Sequence, residues 1–261
     1  MRLAAGLVLA PLSIAIAYAG GWLWAVLVML VIIGLYIEWL TIVGVRTFAV
    51  TLAGAAALTI AVYFLAAGQN KPALLCLGLG LVIVVLLSPE RRLWAGAGFA
   101  YAALAGLTSI LVRFDRVYGF AALIFVLLIV WATDTAGYFA GRGFGGAKLW
   151  PQVSPNKTWA GAVGGFVASL TVAIGFAFFN PVRTVPLLLL GASLSIVAQL
   201  GDLFESAVKR RFGVKDSSRI IPGHGGLLDR LDGFVAAIVL AAILGFLRDG
   251  ADGVGRGLMV W

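Results

Sequence analysis

The chain has 261 residues, of which 62% are hydrophobic and 11% charged, with a mean hydropathy of +1.07 and a formal net charge of +8. Soluble globular domains carry about 25% charged residues, so the composition excludes one and describes a polytopic integral membrane protein. The positive excess does not call for nucleic acid as a partner, because the Lys and Arg residues are spread over loops beside apolar runs, where anionic membrane lipids are the nearer counterions.

Crossing a hydrocarbon core of about 30 Å takes about 20 apolar helical residues. Nine windows reach or approach that length: 3–19, 21–40, 47–67, 72–88, 93–112, 119–139, 159–179, 184–206 and 231–247. Backbone facing lipid must satisfy its own polar groups, so the spans are expected to be helices, with strands only in polar loops. The expected fold class is therefore all-α. Arg2 ahead of an apolar run and the cleavage-like Ala17-Tyr18-Ala19 leave a signal peptide as an alternative for the first window. Against it, the second window follows after one glycine and would lose its hairpin partner.

Thirteen of the 19 Lys and Arg fall on the N-terminus and the even-numbered loops, and six on the other side. The positive-inside rule then puts the N-terminus and both long polar loops in the cytoplasm. Residues 1–118 are almost free of acids within the spans and read as scaffold helices, Glu38 lying close to a helix end. Residues 119–247 read as catalytic helices with cytoplasmic loops, and no linker divides them, so one transmembrane domain over 1–261 is expected. The single Cys76 lies in the fourth window and excludes an intrachain disulfide or a cysteine metal cluster.

Asp134 is the first acid of the second half, inside the sixth window. Gly141-Arg-Gly143-Phe-Gly-Gly146 matches G-x-G-x-x-G, but it follows a membrane helix and lacks the strand and βαβ context that gives that fingerprint meaning. Next comes Ser154-Pro155-Asn156-Lys157-Thr158, read as a turn before the seventh window, with Ser154 or Thr158 capping the helix and Lys157 offering an ammonium to an anion. A capped helix start with a loop lysine explains the same residues. Gly161 and Gly165 are spaced for close helix contact.

Asp202, Glu205, Ser206 and Lys209 share one face of the eighth window, and ionisable residues in such helices mark function by default. The polar tract that follows contains Lys215, Asp216, Arg219, Pro222-Gly-His224-Gly225-Gly226, Asp229, Arg230 and Asp232. The glycines let backbone N–H groups cradle phosphate oxygens, and His224 can hydrogen-bond phosphate or act as an acid. Asp229 and Asp232 share a face at the start of the last window, where dipole capping competes with metal binding. With Asp202 they offer hard oxygen ligands without cysteine or a second histidine, a set that suits Mg²⁺.

The run Ser206-x-x-Lys209-Arg210-x4-Lys215-Asp216-x-Ser218-x2-Ile221-Pro222-x-His224-Gly225-Gly226-Leu227-x-Asp229-Arg230-Leu231-Asp232 resembles the signature of the phosphatidate cytidylyltransferases, or CDP-diacylglycerol synthases. Asp134-Thr-Ala-Gly-Tyr138, Gly141-Arg142, Ser154-Pro-Asn-Lys157-Thr158-Trp159 and Gly201-Asp202-Leu extend the resemblance upstream, and Ala160 departs from it where the family often has Glu. The resemblance implies an enzyme that converts CTP and phosphatidate to CDP-diacylglycerol and pyrophosphate, with Mg²⁺ and, in some members, K⁺, in the bacterial inner membrane. It implies metal ligation by Asp202, Asp229 and Asp232, with Asp216 as a further candidate. Lys209, Arg210, Lys215, Arg219 and Arg230 would bind the nucleotide and lipid phosphates, with Lys157 and the Ser154–Thr158 segment as an added anion site. A homodimer is compatible with this reading. The rivals are a CTP-dependent polyprenol or phytol kinase, which the full signature disfavours, and an ion-coupled transporter, for which inverted repeats and paired broken helices are missing.

Overall fold

A computed structural model describes residues 2–45, 47–180, 182–218 and 225–261, the side chains of residues 2–10 excepted. Nine long helices run among these residues: α1 (Arg2–Ala19), α2 (Gly21–Ile42), α3 (Phe48–Ala66), α4 (Asn70–Leu86), α5 (Arg92–Phe114), α6 (Gly119–Phe144), α7 (Trp159–Phe179), α8 (Thr184–Arg211) and α9 (Leu228–Asp249). Two short strands, β1 (Lys148–Trp150) and β2 (Ser154–Thr158), lie between α6 and α7, and a 3-10 turn (Ala251–Gly253) leads to α10 (Val254–Met259).

Each expected span has a helix. Seven of them, α2, α3 and α5 to α9, are long and apolar enough to cross a membrane, whereas α4 is a shorter apolar helix. Several helices overrun their apolar windows, whereas α3 and the C-terminal end of α4 stop one or two residues short of theirs. α6 runs on to Phe144 and α8 to Arg211, while α9 begins at Leu228. Hydropathy stops where charge begins, but Lys, Arg and Glu are good helix formers, so the helices continue past the apolar stretch. The Gly141–Gly146 segment is accordingly the end of α6, terminated at Gly145 and Gly146 with φ of 62° and 89°.

The chain divides into two compact units, Met1–Phe114 with Phe212–Arg230, and Asp115–Arg211 with Leu231–Trp261. The first boundary falls near the expected change of character at 118, but the polar tract from Phe212 to Arg230 groups with the N-terminal helices. In the first unit α2 packs on α3 and α5, and α3 on α4. Buried aromatic residues join them: the Tyr36 hydroxyl donates to Val50 O at 3.0 Å and Trp39 Nε1 to Trp94 O at 2.9 Å. Phe212 lies edge-on against Trp94 with ring centroids 4.9 Å apart, which fastens the start of the tract to α5.

In the second unit α6 lies along α7, and α8 packs against both. Small residues set the α6–α7 separation: a Cβ on Gly165 would stand 2.5 Å from Thr133 O, and one on Gly161 2.8 Å from Gly137 O. Thr133 Oγ1 donates to Ser195 Oγ at 2.8 Å and joins α6 to α8. Asp115 accepts from Tyr118 N and Arg256 N, both at 2.8 Å, bracing the turn before α6 and holding α10.

Because the obstruction at Gly165 is backbone, the neighbour cannot swing away. Gly165→Ala should destabilise the detergent-solubilised protein by about 1–3 kcal/mol, read as a lowered unfolding midpoint. Gly175→Ala on the same helix, with nothing within 4 Å of the added carbon, should hold the midpoint or raise it slightly through the helix preference of alanine.

Candidate functional site

α8 is the backbone of a charged cluster in the second unit. Its register places Asp202, Glu205, Ser206 and Lys209 along one side. Gly201, just before the first acid, allows α9 to come close, since a Cβ there would stand 2.7 Å from Asp232 O. Asp232 on α9 is thereby within electrostatic reach of Asp202, Glu205 and Asp134. Asp134, from α6, feels both Asp202 and Lys157. Lys157 on β2 forms an ion pair with Asp202, both side chains half-buried. Lys209 Nζ sits 2.6 Å from Glu205 Oε2, with Glu205 only 1% exposed. Four acids thus meet two ammonium groups, an arrangement that carries excess negative charge when all are ionised.

The hairpin delivers Lys157 in a way the sequence did not suggest. Ser154–Thr158 is a strand instead of a turn, paired antiparallel with β1 through Trp150↔Ser154 and Lys148↔Thr158 with an irregularity between them. Proline is tolerated because each strand of a two-stranded ribbon has an open edge. Thr158 then caps α7, its Oγ1 accepting from Gly161 N at 3.1 Å, while Ser154 is half-buried and Asn156 exposed. Arg210 Nε donates to Val153 O at 3.4 Å and ties the end of α8 to the hairpin.

The first unit holds a second cluster, built on Glu38 of α2. Its carboxylate is 1% exposed and accepts four hydrogen bonds from described residues. Ser217 Oγ donates to Oε2 at 2.9 Å, Ser218 Oγ to Oε1 at 2.6 Å, Leu227 N to Oε1 at 2.8 Å and Leu228 N to Oε2 at 2.7 Å. Asp229, in the first turn of α9, accepts from Ser217 N at 3.1 Å and Gly226 N at 2.9 Å, and its Oδ2 lies 3.0 Å from Ser217 Oγ, whose single proton is given to Glu38. The Gly226 amide, expected to face phosphate, is therefore engaged by Asp229. Only glycine fits there, because a Cβ would stand 1.8 Å from Ser217 Oγ and 2.6 Å from Glu38 Oε2.

Of the residues singled out from sequence, Asp202, Ser206, Lys209, Lys157 and Asp232 come together in the second unit, with Asp134 and Glu205 beside them. Asp229 and Gly226 belong to the Glu38 cluster. Gly225 has a φ of 84° and is half-buried, and Lys215, Asp216 and Arg230 are exposed. Arg219 and His224 lie outside the described residues. Among the described residues no three Asp, Glu, His or Cys side chains are grouped so as to hold an ion by themselves. Glu38 is the residue that sequence reasoning assigned to scaffold. Its signal was available: it is the only acid in an otherwise apolar span, a placement that asks for a partner.

The sequence profile described as "Cytidylyltransferase family" matches residues 1–247. Proteins named phosphatidate cytidylyltransferase are similar to the chain: that of Brucella melitensis is 47% identical over 167 residues, covering 63% of this chain and 61% of the relative. That of Staphylococcus haemolyticus is 44% identical over 168 residues, covering 63% and 65%, and that of Staphylococcus aureus 43% over 163 residues, covering 61% and 63%. The chain thus spans less than two thirds of the length of the relatives it matches.

Lys209 neutralises a carboxylate that is almost fully withdrawn from solvent. Lys209→Met should cost about 3–5 kcal/mol through the charge left on Glu205. Adding Glu205→Gln should recover much of that loss, and unfolding midpoints of the single and double variants in detergent would measure both effects.

Proposed function

The chain belongs to the cytidylyltransferase family, and from that premise we propose that it transfers the cytidylyl group of CTP to phosphatidate, forming CDP-diacylglycerol and pyrophosphate. The observation that carries this reading is the second-unit cluster, in which Asp134, Asp202, Glu205 and Asp232 gather with Lys157 and Lys209. The signature that fills positions 206–232 and the names of the relatives support the choice of nucleotide and lipid.

The step joins two anions. A phosphate oxygen of phosphatidate attacks the α-phosphorus of CTP, the bond from that phosphorus to the oxygen bridging to the β-phosphate breaks, and pyrophosphate leaves with the electron pair. The nucleophile is already a phosphate oxygen, so positioning and charge neutralisation matter more than a general base. Lys157 is the partly exposed ammonium at hand in the cluster, Lys209 being held by Glu205, and on the tract Lys215 and Arg230 are exposed cations suited to phosphate.

The donor set fits Mg²⁺. Crowded carboxylate oxygens without thiolates suit a hard divalent ion, and Mg²⁺ is ordinarily held by one or two carboxylates with substrate phosphates and water completing its shell. That habit accords with acids that do not form a complete cage among themselves. Asp202 and Asp232 would hold it, with Asp134 alongside. Bound there, Mg²⁺ would supply charge neutralisation on the phosphates. Asp229 serves this reading as the organiser of the tract, since its oxygens are taken up by Ser217 and Gly226. The placement of 13 Lys and Arg on one side supports a cytoplasmic site in a plasma membrane.

Purified protein given CTP labelled at the α-phosphorus, phosphatidate and Mg²⁺ should move label into the chloroform phase, and chelation should abolish the transfer. Label entering lipid only from the γ-phosphorus would replace this reading with a lipid kinase. No CTP binding and no lipid product would favour the transporter. Asp232→Asn should express and insert normally but lose about 100-fold or more in kcat, measured by the same assay; full activity at saturating Mg²⁺ would remove Asp232 from the site.

A further inference from the structure

We infer that Glu38, the one charged residue of α2, is a positioning residue for nucleotide capture, acting through the polar tract without touching substrate. The inference rests on the transfer reading above and assigns its control to a residue outside the signature. Every contact that carries it lies within the first unit.

The geometry is that of a clamp. The two carboxylate oxygens of Glu38 each take one serine hydroxyl and one backbone amide: Oε1 takes Ser218 Oγ and Leu227 N, and Oε2 takes Ser217 Oγ and Leu228 N. One side chain of α2 thus holds together two stretches of the tract that are about ten residues apart in sequence. The amides are those of the residues entering α9, so a negative charge also sits at the positive end of that helix dipole. Asp229 reinforces the join by accepting from Ser217 and Gly226. Gly226 is packed so closely against Glu38 and Ser217 that no side chain fits.

Helix capping alone would need one acceptor on α9 itself, and Asp229 already stands in the first turn. Glu38 adds something different: it fixes the direction in which the flanks leave α2. Lys215 and Asp216 immediately precede the clamped serines, and Arg230 follows the clamped amides by two residues. A displacement of either flank therefore moves the tract's phosphate-binding cations. A buried carboxylate is tolerated only where its lone pairs are filled, so the four donors and the acceptor are mutually dependent, and removal of the charge should loosen the whole join.

Glu38→Gln keeps the side chain's shape but turns one acceptor oxygen into an NH₂ group that faces an amide donor. Hydrogen exchange at Leu227 and Leu228 should quicken by about tenfold or more, with protection of α3 and α5 unchanged. In the labelled-CTP assay KM for CTP should rise by about tenfold with kcat changing less. The pair Ser217→Ala with Ser218→Ala, which leaves both amide bonds to Glu38, should fall between wild type and Glu38→Gln on both readouts, and gives an answer if Glu38→Gln does not fold. Unchanged exchange in Glu38→Gln overturns the inference whatever the activity. Faster exchange with KM and kcat both as in wild type also overturns it, by confining Glu38 to folding. A wild-type protein that transfers no label refutes the preceding transfer reading. In that case added CTP should still protect the tract from exchange in wild type and fail to do so in Glu38→Gln, and equal protection, or none in wild type, overturns the inference.

Discussion

A carboxylate taken out of water persists only when donors or cations fill its oxygens, and that requirement organises the polar half of this protein. Glu38 meets it with two hydroxyls and two backbone amides, and Glu205 with the ammonium of Lys209. The first arrangement consumes the amides at the head of α9; the second uses up a cation that sequence alone would assign to substrate. Each buried acid thus decides what its surroundings have left to offer a ligand.

This separates acids that hold the structure from acids that remain in contact with solvent. Glu38 and Asp229 are acceptors for backbone and hydroxyl donors in the first unit, and their oxygens face the protein's own groups. Asp202, by contrast, is half-buried and held by a lysine on a hairpin, and Asp134 is exposed along α6. An ion pair between partly exposed groups exchanges partners at modest cost, whereas the Glu38 cluster cannot change partners without unfilling several bonds at once. A reaction that neutralises phosphates is served by the partly exposed kind of carboxylate.

The helices were legible because hydropathy is strong and lipid leaves the backbone little choice. Their ends were not, since α6, α8 and α9 carry charged turns beyond the apolar windows, and hydropathy reads charge as loop. The joining of Asp202 with Asp232 was readable in part from helix register and Gly201. The Ser154–Thr158 strand was not, because its Pro, Asn and Ser carry no strand preference and only pairing with Lys148–Trp150 makes it extended. Glu38 was hidden for another reason. Its partners lie about 180 residues away, at Ser217 and Ser218, and no local pattern reports a contact of that range.

The charge balance of the second-unit cluster bears on the form in which a nucleotide would arrive. With Lys209 engaged by Glu205 and Lys157 by Asp202, the described acids Asp134, Asp202 and Asp232 have one ammonium among them. A bare triphosphate approaching such a surface meets like charge at short range, where the low dielectric beside a membrane makes repulsion expensive. A triphosphate accompanied by a divalent ion meets ligands instead. On the proposed reaction, Asp202 would be among the residues that hold such an ion, and Lys157 on the strand beside it would offer its ammonium to the nucleotide phosphates. The ion pair of the resting protein thus keeps Lys157 beside the carboxylates of the cluster.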